Sequence, residues 1–222
     1  MTSKTMAVAL AGLIAISAAP AAGQVTDDVA NTKHNLSAGG PTGATLVDYG
    51  EICVYCHTPH GGQVDAPLWN RNFSTATYQM YTSSTIDMTM DGQPTGISKA
   101  CLSCHDGTIG LDVIINPPNS YAGTVPGTTP GTNTMPSGGF TFLDTDLRND
   151  HPISVVYDET ADTKFNAKSS ILAAGLKLYT DPASAGEKVQ CATCHNPHQK
   201  GRAAFLRIDN SASALCKTCH IK

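Results

Sequence analysis

The chain has 222 residues, with 18 Asp and Glu against 14 Lys and Arg, a formal charge of −4 and an isoelectric point near 6.0. An acidic surface argues against nucleic acid or an anionic membrane face as partner. Although 41% of the residues are hydrophobic, only 6% are aromatic, with one Trp and 5 Phe against 20 Gly and 13 Pro, so side chains alone lack the bulk for an ordinary core.

Residues 1–23 read as an export signal. Lys4 supplies a thin positive region, Met6 to Ala19 form an apolar run of 14 residues, and Ala19-Pro20-Ala21-Ala22-Gly23 offers cleavage after Ala21 or Gly23. A buried N-terminal helix is the bland alternative. The run falls short of the ~20 residues that span a bilayer, and no cysteine precedes Cys53 to take a lipid anchor. Residues 24–222 are then expected to form a single domain. Gln24 to Thr32 is polar, and Lys33-His34-Asn35-Leu36-Ser37 follows, with a turn at Gly39-Gly40-Pro41.

Next comes Cys53-Val54-Tyr55-Cys56-His57-Thr58-Pro59-His60. Two thiols three positions apart, with an imidazole immediately after, is what covalent haem attachment requires: the thiols add across the porphyrin vinyl groups and the histidine ligates the iron. Ala66-Pro67-Leu68-Trp69-Asn70-Arg71 reads as an extended loop in which Trp69 packs on a porphyrin face, and residues 73–92 show no period. The motif recurs at Cys101-Leu102-Ser103-Cys104-His105. Gly110-Leu111-Asp112-Val113-Ile114-Ile115 predicts a short strand. Residues 116–139 are rich in Pro, Gly, Thr and Ser, which predicts a surface loop and offers hydroxyls for O-linked sugars. Asp150-His151-Pro152-Ile153-Ser154-Val155-Val156 predicts another short strand opened by a histidine. Ser170 to Tyr179 fits helix or strand, and residues 181–186 predict a turn. The third and fourth motifs, Cys191-Ala192-Thr193-Cys194-His195 and Cys216-Lys217-Thr218-Cys219-His220, close the chain. His57, His105, His195 and His220 are 48, 90 and 25 residues apart, so there is no fixed-period repeat, although CHTPH and CHNPH open similar units.

All eight cysteines are consumed by the four motifs. Disulfides or two four-thiolate zinc sites would use the same cysteines, but neither explains a histidine after every pair. The expected fold class is therefore a multihaem cytochrome c, loop-rich with short helices and few short strands, its core formed by four stacked haems. Covalent attachment takes place outside the cytoplasm, which agrees with an export signal. Losing Lys4 with the signal takes the formal charge from −4 to −5, and ionised propionates make the holoprotein more acidic.

Four histidines remain, His34, His60, His151 and His198, and four irons need four distal ligands. His60 and His198 lie three residues beyond His57 and His195, on the same side of their own porphyrins, so each should ligate a different haem and tie two together. His34 and His151 are free to close the remaining sites, in this chain or a neighbour, with His34 the first candidate to cross because it lies near a terminus. Met80, Met88, Met90 and Met135 are rival ligands that would raise the potential, but their polar settings favour packing. Six-coordinate bis-His iron has no open position for substrate. The residues thus predict a low-potential electron conduit, not an enzyme. A monomeric periplasmic carrier is the alternative, and a multihaem reductase, which needs a five-coordinate haem, a more distant one.

His34-Asn35-Leu36-Ser37, Ile52 to His60, Ala66 to Arg71, Cys101 to Gly107 and Asp150-His151-Pro152-Ile153 together resemble the OmcE-type tetrahaem extracellular cytochromes, in order along nearly the whole exported chain. The resemblance implies nanowire-like filaments with a continuous haem stack, fed by periplasmic or outer-membrane cytochromes and located at the cell surface. It also implies that each subunit gives one axial histidine to its neighbour.

Overall fold

Among the described residues helical structure comes only in short pieces, and each CxxC pair lies in or caps one. In the computed structural model, which describes residues 28–42, 45–126, 133–182 and 184–221, Cys53–Tyr55 is a single 3-10 turn. Helix α1 (Gly96–His105) holds the second pair, α3 (Cys191–Cys194) the third and α4 (Ala214–Cys219) the fourth, while α2 (Lys168–Ala173) carries none. Helical geometry puts residues i and i+3 on one face, so both thiols of a pair face the same way. The backbone N–H of His57 donates to Cys53 O (2.8 Å), that of His195 to Cys191 O (3.1 Å) and that of His220 to Cys216 O (2.9 Å). Helix α1 buries Gly96, Ser98, Ala100, Leu102 and Ser103. These mostly small residues let it pack closely against α3 and the sheet. It ends at Gly107, whose φ of +73° suits only glycine and whose missing Cβ leaves room for the Phe142 ring.

The sheet has three antiparallel strands in the order β1-β3-β2: β1 is Val155–Val156, β2 Tyr179–Asp181 and β3 Ser184–Val189. Val155 pairs with Val189, and Val156 with Lys188. Gly186 lies directly against the Val156 side chain, where a Cβ would come within 2.9 Å of it. The strand expected within 150–156 is thus confined to its last two residues. The segment read as helix or strand divides, with α2 in its first half and β2 beginning at Tyr179. The turn expected across 181–186 is narrower, because β3 starts at Ser184.

The strand expected at Gly110–Ile115 does not form. Its apolar side chains are buried as their character demands, including Leu111, Val113 and Ile114. Its carbonyls, however, are taken by side chains instead of a ladder: Arg71 takes those of Gly110, Leu111 and Val113, and the Tyr49 hydroxyl takes that of Asp112. Residues 66–92 carry isolated bridges only, in keeping with an extended loop. The two side-chain clusters are small, one around Tyr49, Val54, Tyr55 and Ile114, the other around Tyr78, Leu102 and Leu147 with Met80 against it. Met88 is buried too. The described parts of 116–139 lack helix and strand, and neighbouring Phe140 is 88% exposed. The predicted signal lies outside the described residues, among which no helix is long and apolar enough to cross a membrane.

Candidate haem sites

The second histidines meet the first ones across motifs. The His57 and His198 rings have centroids 6.1 Å apart, His34 and His105 6.3 Å, and His151 and His220 6.4 Å. Two imidazoles on opposite sides of one metal, each bonded at about 2 Å, have ring centres roughly 6 Å apart. Direct ring packing gives shorter separations, as with His34 against Phe205 and His220 against Phe165, both 4.5 Å. The three histidine pairs therefore have the spacing of axial ligands holding a six-coordinate iron, and the donor set fits haem.

His198 stands opposite His57, not its own motif's His195, as the three-residue spacing requires. His34 faces His105 of the same chain, so the expectation that this terminal segment is the one to cross is not met. His151 faces His220. His60 and His195 are left: both are exposed, and among the described residues no histidine ring stands opposite either of them.

Backbone carbonyls fix several of the rings. His105 Nδ1 lies 2.7 Å from Thr141 O, His195 Nδ1 2.6 Å from Ala204 O, and His151 Nδ1 2.9 Å from Pro152 O. With Nδ1 donating, the lone pair is on Nε2, and the hydrogen bond makes that nitrogen a stronger donor to a metal. Burial holds His34 down to about 4, helped by the nearby His105, His198 and His195, and burial and His198 lower His57. Both are thus neutral at physiological pH, the form a metal ligand needs.

All eight cysteines are free thiols. Burial and the neighbouring Cys104 push Cys56 up to about 12, and burial and Cys219 push Cys194 up to about 11. Cys101 hydrogen-bonds Cys191, which raises Cys101 and lowers Cys191. Thiols of successive motifs are thus near neighbours, first with second, second with third, third with fourth. Among the described residues no group of three or more His, Cys, Asp or Glu side chains is arranged around a bare metal ion, so the zinc alternative has no geometry there.

Trp69 ties the first two motifs together. Its ring lies edge-on to His57, with centroids 5.8 Å apart, and its Nε1 donates to Ser103 Oγ at 3.2 Å. Asn70 N donates to Cys56 O (2.8 Å) and Asn70 Nδ2 to Val54 O (2.7 Å). Arg71 reaches Ser103 as well. The sequence reading placed Asn70 and Arg71 only in a loop, because nothing in their spacing marks residues that bind backbone carbonyls.

A family model described as the doubled CXXCH motif matches residues 181–222, which contain the third and fourth motifs. No curated protein matches the chain. The matched family supports covalently bound haem c, a multihaem cytochrome and an electron-transfer role, and it points to an electron carrier rather than an enzyme.

Proposed function

We propose that the chain holds four c-type haems, each ligated by two histidines, and that it is the repeating subunit of an extracellular OmcE-type filament that carries respiratory electrons to external acceptors. Cys53 and Cys56, Cys101 and Cys104, Cys191 and Cys194, and Cys216 and Cys219 hold the porphyrins; His57, His105, His195 and His220 are the proximal ligands. Bound haem supplies reversible one-electron exchange at iron. The chain's own residues hold His34 and His57 neutral and orient His105, His151 and His195 through backbone carbonyls, and an iron with two imidazoles leaves no axial position for substrate.

The observation that carries the filament reading is a remainder. Three histidine pairs close within one chain, and what is left is one proximal ligand, His195, and one distal ligand, His60, both exposed. A second copy provides what each lacks: His60 of one subunit completes the site of His195 in the next. Such a heterologous contact repeats without closing, which generates a fibre. Export through a cleaved signal at residues 1–23 and delivery of electrons from periplasmic or outer-membrane cytochromes complete the reading.

The test is to weigh the purified holoprotein for four haems and then image it by electron microscopy. Micrometre-scale filaments with one intersubunit histidine per chain are expected. A homogeneous monomer whose four irons all take both imidazoles from one chain overturns the filament.

A further inference from the structure

The segment that ties the first two motifs together also buries a cation. Arg71 is 0% exposed, and all five of its N–H groups are used. Nε donates to Ser103 Oγ (3.3 Å), Nη1 to Leu111 O (2.8 Å) and Val113 O (2.9 Å), and Nη2 to Ser103 O (3.0 Å) and Gly110 O (2.7 Å). No donor remains for a propionate. None of the ion pairs among the described residues includes Arg71. Carbonyl dipoles hold a guanidinium without cancelling its charge, and in a poorly screened interior that charge acts at a distance.

Its position is specific. Ser103 lies between Cys101 and Cys104, and Asn70, the preceding residue, binds the carbonyl of Cys56. The field of Arg71 reaches Cys56, where it counters the effect of burial, and no carboxylate acts there beside it. The nearby Asp112 carboxylate turns its Oδ2 to Val47 N (3.0 Å) and Asn133 Nδ2 (2.7 Å) instead. The third motif has a guanidinium of its own, half-buried Arg207, whose Nε donates to Ala192 O (2.7 Å) between Cys191 and Cys194. Just before this motif, buried Lys188 meets two carboxylates, Asp91 (2.7 Å) and Asp181 (2.8 Å), a cluster of net negative formal charge. Thr95 Oγ1 lies within hydrogen-bond distance of both carboxylates (2.9 and 3.0 Å), which share its one proton, and accepts from Gln190 Nε2, next to Cys191.

We propose that Arg71 raises the reduction potentials of the haems at Cys53–His57 and Cys101–His105. It rests on the four-haem reading. An electron arriving beside a fixed positive charge is stabilised.

The experiment uses holoprotein, first weighed for haem; mass missing at the first two motifs would remove the haem reading itself, an outcome distinguishable from any shift of potential. Spectroelectrochemical titration with haem-methyl NMR then assigns each potential. R71Q should lower the first two potentials and leave the others in place. R71K should keep them near the wild-type values yet melt at a lower temperature, because an ammonium keeps the charge but cannot make the five forked bonds. Equal shifts in R71Q and R71K, or a common shift of all four haems, overturn the proposal. If R71Q does not load haem, R71K is titrated upward through deprotonation of its lysine: a fall confined to the first two potentials is expected, and the absence of a fall sinks the proposal.

Discussion

At His57 and His198 the two imidazole planes lie 17° apart, whereas at His34–His105 and at His151–His220 they lie 68° apart. Near-parallel imidazoles interact with the same iron d orbital and separate it from its partner; near-perpendicular ones act on both alike and leave them close in energy. In the proposed holoprotein these three of the four sites should therefore give one well-resolved rhombic low-spin electron paramagnetic resonance spectrum together with two strongly anisotropic signals of large principal g value. Uniformly rhombic spectra from all sites would contradict these ring orientations. Assignment comes from replacing His198, which should remove the rhombic component first. The sequence singled out these histidines, the proximal ones by the Cys-x-x-Cys-His spacing and the distal ones by their number. Their pairing was not legible there: His34 and His105 are brought together by packing, and no local rule links them.

Between the elements, Lys188 on β3 is fully buried against Asp181 of β2 and Asp91 of the loop before α1. Burial alone pushes the Lys188 ammonium down, and its hydrogen bonds to Asp181 and Asp91 more than reverse this, so it ends raised above 10.5. Because the folded value exceeds the unfolded one, the folded state holds the proton more tightly. The resulting stability is fully present below 10.5 and is lost as pH rises through the folded value. K188M removes one partner and leaves two carboxylates without their cation, a change that costs about 3 kcal/mol for a buried pair. Its melting temperature should fall well below wild type at neutral pH, and the gap should narrow as both proteins are titrated upward past 10.5. A constant gap would assign the loss to packing instead. The sequence showed loop-rich connections and short elements because Gly, Pro and weak periodicity are local properties. It misassigned Gly110–Ile115 because alternation measures burial, while the carbonyls there are taken by Arg71 from forty residues away. It missed β3 because Ser184-Ala185-Gly186-Glu187 carries no strand signal and is held by pairing with β1 and β2.

For the whole molecule, the proposed filament divides the axial ligands into those that complete one chain and those that join two. His34→Ala and His60→Ala each delete one distal imidazole from the sequence, but they should not behave alike. H34A opens the site of His105 inside each subunit, so carbon monoxide binds there while the filaments persist. H60A opens the site of His195 in the neighbouring subunit, so carbon monoxide binds and the filaments break into short pieces or monomers. The surface around His60 supports this division. Val64 and Leu68 are 80% and 53% exposed, and Leu68 is held outward at a φ of +64° while its carbonyl accepts from Thr58 N at 2.9 Å. Apolar side chains kept in water beside an unmatched ligand are what a contact with a second copy would cover. Leu68→Glu keeps the backbone requirement unchanged, since Leu and Glu meet the same constraint at positive φ. It should shorten filaments without loss of haem and without a new carbon monoxide-binding site. Filament length by electron microscopy, read beside the carbon monoxide difference spectrum, distinguishes the three variants. Filaments that survive H60A but dissolve in H34A would return the crossing ligand to the N-terminal segment.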